Sequence, residues 1–156
     1  MDGVLIEAAG KDDLPKILQL QRAAFRPVAE AFRDKDIEPL TATLDDLERE
    51  FDAGIFLKAV LVDEIIGSIR AHAEGSTVHV GKLIVHPKFQ HRGLGRKLLA
   101  AIERHCPAER CELFTDSRNR RNLALYERAG YRKFSERQVN DELMFAYLEK
   151  FAPPKG

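Results

Sequence analysis

The 156-residue sequence has no tryptophan and only two cysteines, Cys106 and Cys111, whose spacing matches neither a thioredoxin nor a zinc pattern. That leaves no disulfide framework: stability has to come from an apolar core, and both thiols are expected to be reduced and structural. Net charge is missing as well, since 25 basic residues balance 25 acidic ones. No global field then draws the chain to nucleic acid or to an anionic membrane surface, and neither is expected as a partner. No apolar run approaches the roughly 20 residues that span a bilayer, and Met1-Asp2-Gly3 makes an acidic start unlike a signal peptide. A cytoplasmic protein is expected. Repeats and low-complexity tracts are also lacking, so residues 1–156 read as a single domain with a flexible tail over 152–156.

What is present is concentrated between residues 78 and 95, VHVGKLIVHPKFQHRGLG. An apolar strand containing Leu83, Ile84 and Val85 passes through a turn at Pro87 into Gln90-His91-Arg92-Gly93-Leu94-Gly95, which opens a helix. The glycines let a ligand approach the backbone, and the unpaired N–H groups at a helix start favour an anion. Arg92, Arg96 and Lys97 sit where the helix dipole disfavours cations, a local conflict that a bound phosphate would resolve. A dinucleotide fingerprint would need glycine where Leu98 stands, and the Lys-Ser/Thr pair of a P-loop is absent.

Around that segment the pattern predicts a strand over 4–8 and a helix capped by Asp12 or Asp13 that ends near Arg26-Pro27. A second short helix follows Thr43, with Asp46 completing its cap and Gly54 closing it. Strands are expected over 55–62 and 65–73, joined by Asp63-Glu64, and over 77–85. A helix over 93–106 carries the stripe Leu94, Leu98 and Ile102. Then come a strand over 113–115, a helix over 118–129 capped by Asp116 or Ser117 with Gly130 beyond it, and two strands flanking Asn140-Asp141. The stretch 33–38 reads as loop, with a helical turn near 28–32. The order β-α-α-β-β-β-α-β-α-β-β describes an α/β (α+β) fold: a central, mostly antiparallel mixed sheet with helices on its faces.

The Q-x-x-G-x-G turn after strand 83–85, together with NLALYERAGY over 122–131, resembles the GCN5-related N-acetyltransferase (GNAT) family, most closely over 77–135. The resemblance implies an acetyl-coenzyme A dependent N-acetyltransferase that moves an acetyl group directly to a primary amine of a small molecule or peptide, with no metal. It places the pyrophosphate on Gln90, His91, Arg92, Gly93, Leu94, Gly95 and Arg96, and the pantetheine arm along Leu83, Ile84 and Val85. Asn122 is implied to bind the coenzyme arm, and Tyr126, one helical turn later, to act as general acid beside the sulfur. A helix-start asparagine with a tyrosine packed on the sheet is the plainer account of that pair.

His79 falls where several members of the family carry a catalytic glutamate, and an imidazole accepts protons well at neutral pH. A histidine with no catalytic duty on a half-exposed strand fits it equally, and His72, Glu74 and His86 are alternative bases. Gly81, inside a β-branched strand, suggests a bulge or a close backbone approach. Of Arg118, Arg120 and Arg121, one could meet a coenzyme phosphate while the others form a solvated face. The acceptor is expected against residues 1–54, with Phe25, Arg26 and Phe32 as contacts and Arg33, Asp36 and Glu38 nearby. Exposed strand edges near the C-terminus suit a homodimer. The alternative function is a non-catalytic acyl-coenzyme A sensor or interaction module on the same fold.

Overall fold

The computed structural model describes residues 3–34 and 36–153. The first two residues of the acidic start, Lys35 of the expected 33–38 loop and residues 154–156 of the expected tail lie outside that range. Seven strands form a sheet in the hydrogen-bonded order β1-β2-β3-β4-β5-β7-β6, flanked by helices. The strands are β1 (Leu5–Ala8), β2 (Ile55–Leu61), β3 (Glu64–Glu74), β4 (Thr77–Val85), β5 (Arg110–Asp116), β6 (Arg132–Gln138) and β7 (Met144–Phe151). The helices are α1 (Leu14–Ala31), α2 (Glu38–Thr41), α3 (Leu44–Ala53), α4 (Leu94–His105) and α5 (Arg120–Arg128). β4 and β5 run parallel, whereas β1 with β2, β5 with β7 and β6 with β7 are antiparallel. No helix among the described residues is long and apolar enough to cross a membrane.

The chain divides into two compact units. The first holds the chain as far as Arg70 together with Lys82–Ile102. Its core is made by Leu14, Ile17 and Leu18 of α1, Leu47 of α3 and Phe56 of β2, with Ala42 between the helices. Leu94, Leu98, Leu99 and Ile102, spaced for one helical face, bury the inner side of α4. The helix fits closely over β3, because a Cβ added to Gly67 would lie 3.0 Å from Leu98 Cδ1 and 3.2 Å from the Ile84 carbonyl oxygen. Arg70 is 5% exposed and donates to Glu50 at 2.6 Å and to Gln21 at 2.5 Å, while Gln21 donates to the Pro39 carbonyl at 2.9 Å. One buried guanidinium therefore ties β3 to α1 and α3.

The second unit, Ala71–Gly81 with the chain from Glu103, is built on the antiparallel strands β5, β7 and β6 and on α5. Leu113, Ala146 and Leu148 are buried in it. Tyr131, 1% exposed, donates its hydroxyl to Glu103 at 2.9 Å, and the other carboxylate oxygen accepts from Lys150 at 2.9 Å. All seven residues of β6 are exposed.

Several boundaries correct the sequence expectation. α1 does not end at Arg26-Pro27: Pro27 lies inside the helix, which continues to Ala31. Proline deletes one helical donor, and the turns beyond it are kept by Phe32 N–H to Val28 and by the burial of Ala29. The turn between β2 and β3 is Val62-Asp63 rather than Asp63-Glu64, with both residues left-handed at φ 46° and 65°, the pairing that a tight two-residue hairpin demands. Helix α5 starts at Arg120, capped by Asn119, whose side chain accepts from the Asn122 N–H. Asp116 is unavailable as a cap because it accepts from the Arg118 N–H at 2.9 Å and clasps the Arg118 guanidinium at 2.6 Å. The strand expected over 113–115 extends to Arg110–Asp116. The Thr43-Asp46 cap forms reciprocally, and Gly130 takes the left-handed position after α5 at φ 100°.

Candidate active site

In the first unit, β4 runs through Leu83, Ile84 and Val85 into a 3₁₀ turn at Pro87–Phe89. His86 begins that turn by accepting the Lys88 N–H on Nδ1 at 3.1 Å, which occupies the nitrogen a base would use. Gln90 reaches back and donates to the Val85 carbonyl at 3.0 Å, tying the loop to the end of the strand. The backbone then turns left-handed twice, at His91 (φ 66°) and Gly93 (φ 81°). Lys97 N–H closes the first turn of α4 onto the Gly93 carbonyl at 3.2 Å. Leu94, Gly95 and Arg96 supply the leading amides of this helix, which by geometry have no intrahelical acceptor. Leu94 is buried and anchors the turn, whereas Arg92 and Arg96 are exposed, Arg92 lying 5.8 Å over the Phe89 ring.

The irregularity expected at Gly81 sits one residue later. Lys82 takes φ 48°, and nothing lies within 4 Å of a Cβ built on Gly81, so the strand is bent at Lys82 with open space beside the glycine. The Lys82 ammonium pairs with Glu38 of α2. Phe25 and Phe32 are half-buried and Arg26 is exposed, in the second half of α1 and at its C-terminal end. A depression of about 480 Å³ along α1, lined by Pro15, Leu18, Gln19, Arg22, Ala23 and Arg26, contains one of these three.

In the second unit, Asn122 donates to Thr115 Oγ1 at 3.4 Å, linking the first turn of α5 to β5. Tyr126, on the same helical face, is 6% exposed, and burial pushes its phenol up to about 12, so the hydroxyl keeps its proton at neutral pH. Its ring meets Tyr131 edge to face at 6.3 Å. His79 stands between two carboxylates, with Nε2 3.0 Å from Glu74 and Nδ1 3.5 Å from Glu112, its register partner on β5. Its ring stacks on His72 with centroids 5.0 Å apart. Arg118 is held by Asp116, while Arg120 and Arg121 lie exposed at the start of α5. Both cysteines are free, and burial raises both thiols, the wrong direction for a nucleophilic thiolate.

Sequence reasoning passed over the Arg70, Gln21 and Glu50 network and the bend at Lys82. The first had a signal, an arginine inside the apolar run IGSIRAHA, which cannot be buried without partners. The second had none beyond the neighbouring glycine.

A family model for the Acetyltransferase (GNAT) family matches residues 14–131. Among solved structures, the ribosomal-protein-S18-alanine N-acetyltransferase from Escherichia coli superposes with a TM-score of 0.80 at 15% identity, over 98% of this chain and 96% of that one. The PaiA N-acetyltransferase from Thermoplasma acidophilum, in complex with coenzyme A, gives 0.70 at 18% identity over 96% and 99%. A GNAT family acetyltransferase from Elizabethkingia anophelis with acetyl-CoA bound gives 0.72 at 18% identity over 97% and 100%. At these identities the likeness is one of fold.

Proposed function

Because the chain belongs to the GNAT family of acetyltransferases, we propose that it carries acetyl from acetyl-coenzyme A directly to a primary amine of a small molecule or peptide. The observation that carries this reading is the loop Gln90–Arg96: two left-handed residues lead into a helix start, whose first amides have no intrahelical acceptor, beside two exposed arginines. Those amides take the pyrophosphate, Arg92 or Arg96 adds charge, and Leu83, Ile84 and Val85 offer a strand edge to the pantetheine arm.

Three tasks remain: removing a proton from the amine, holding the oxyanion of the tetrahedral intermediate and returning a proton to the departing thiolate. The amine nitrogen attacks the thioester carbonyl, the C–S bond breaks as the intermediate collapses, and the sulfur leaves as thiolate. We assign Tyr126 to its protonation, Asn122 to the coenzyme arm and a β4 amide to the oxyanion. His79 takes the amine proton, directly or through water. Phe25, Arg26 and Phe32 are assigned to the acceptor. Transfer without a covalent enzyme intermediate is supported by desolvation raising both thiols, Cys111 buried and Cys106 half-buried.

The test is release of coenzyme A thiol across a panel of amines, compared with Tyr126→Phe. Amine-dependent release that falls in the variant supports the reading. Binding of acetyl-coenzyme A with no release from any amine would reassign the chain as an acyl-coenzyme A sensor.

A further inference from the structure

The sequence assigns no metal ligand to this chain, yet the β3–β4 hairpin gathers a donor set. His72 and Glu74, two residues apart on β3, project to one face of the strand, and the Gly75-Ser76 turn brings His79 of β4 against them. One nitrogen from each imidazole and one Glu74 oxygen lie within 4.8 Å of one another. Tetrahedral ligands at zinc bond lengths stand about 3.3 Å apart, and because the His72 and His79 rings stack at 18°, one ring turns out of the stack to bring both lone pairs onto one ion. Two imidazoles and a carboxylate suit a divalent transition cation of the zinc class, with water at the fourth position.

Glu112 is a separate indication. It lies 3.5 Å from His79 Nδ1, on the far side of the ring from Glu74, and is itself held by Arg110 at 2.8 Å. With carboxylates facing both nitrogens, an imidazole carrying one N–H points its lone pair at an anion, an arrangement that either a second proton or a cation relieves. A cation on Nε2 removes that conflict: Glu74 and Nε2 both bind it, and Nδ1–H donates to Glu112. A carboxylate behind a ligating histidine is the usual outer partner in such sites.

We propose that His72, Glu74 and His79 form a binding site for a zinc-class divalent cation, with Glu112 positioning His79. The site rests on the hairpin geometry, independently of the acetyl-transfer reading. Where both hold, metal and proton compete for Nε2 of His79.

The test is a Co²⁺ titration of the metal-free full-length protein, followed by visible absorption and then displaced with Zn²⁺. One equivalent with tetrahedral bands is expected, with saturable binding lost in His72→Asn and in Glu74→Gln. Glu112→Gln should weaken binding by about 10- to 100-fold. His72 and Glu74 are exposed, so both variants should fold, which circular dichroism and melting check. Absence of saturable binding to the wild type, or binding that survives both substitutions, overturns the proposal.

Discussion

Tyr126 is the residue on which the proposed proton transfer to sulfur rests. It is buried, its phenol is raised to about 12 by desolvation, and it stands one turn beyond Asn122 on α5. A group so raised stays protonated through the neutral range and can give its proton only as negative charge develops on a neighbour, as on a departing thiolate. Tyr126→Phe should therefore lower turnover by about 10²- to 10⁴-fold with little change in acetyl-coenzyme A affinity, read from steady-state kinetics and calorimetry. That Asn122 and Tyr126 share one face of α5 was legible because four-residue spacing on a helix is visible in any sequence. The surroundings of His79 were not: Glu74 is near in sequence, but Glu112 arrives only through β4–β5 pairing, and no local pattern encodes a parallel neighbour.

At the scale of elements, the strand and helix that flank the Gln90–Arg96 loop were read almost to the residue. β4 spans Thr77–Val85 as its apolar run predicts, and α4 begins at Leu94, between Gly93 and Gly95 and one residue after the expected start. Misreadings fell where side chains compete for the backbone, as Asp116 does with Arg118, or where packing overrides proline, as in α1. Two glycines of the first unit should respond differently to alanine. Gly67→Ala pushes a methyl group to 3.0 Å from Leu98 and 3.2 Å from a carbonyl, and should cost about 1–3 kcal/mol by overpacking. Gly93→Ala meets no atom within 4 Å but must hold φ 81°, and should cost about 1–2 kcal/mol through backbone strain. Denaturant melts measure both, and only Gly93→Ala should also weaken acetyl-coenzyme A binding.

At the scale of the whole chain, the balanced charge and the single sheet were foreseeable from composition and periodicity, whereas the division into two compact units was not, because contacts between distant segments define it. Global stability should carry the mark of the buried phenols. Tyr126 has its folded value raised from 10.0 to about 12, and burial, reinforced by Glu103, raises Tyr131 too. Below pH 10 the folded and unfolded chains hold the same tyrosine protons. Between 10 and about 12 the unfolded chain releases them first, so stability falls as pH rises, by about 3 kcal/mol for Tyr126. Urea midpoints should drop across that window, and less steeply for Tyr126→Phe; equal slopes would show that the phenol is not desolvated.

The central claim, that the loop opening α4 holds the coenzyme pyrophosphate, is tested most directly by calorimetric titration with acetyl-coenzyme A of the wild type and of the Gly93→Asp, Gly95→Asp double variant. One saturable site in the wild type, lost in a folded double variant whose carboxylates face the phosphates, is the predicted result. Equal binding by both proteins, or no binding by the wild type, would contradict it.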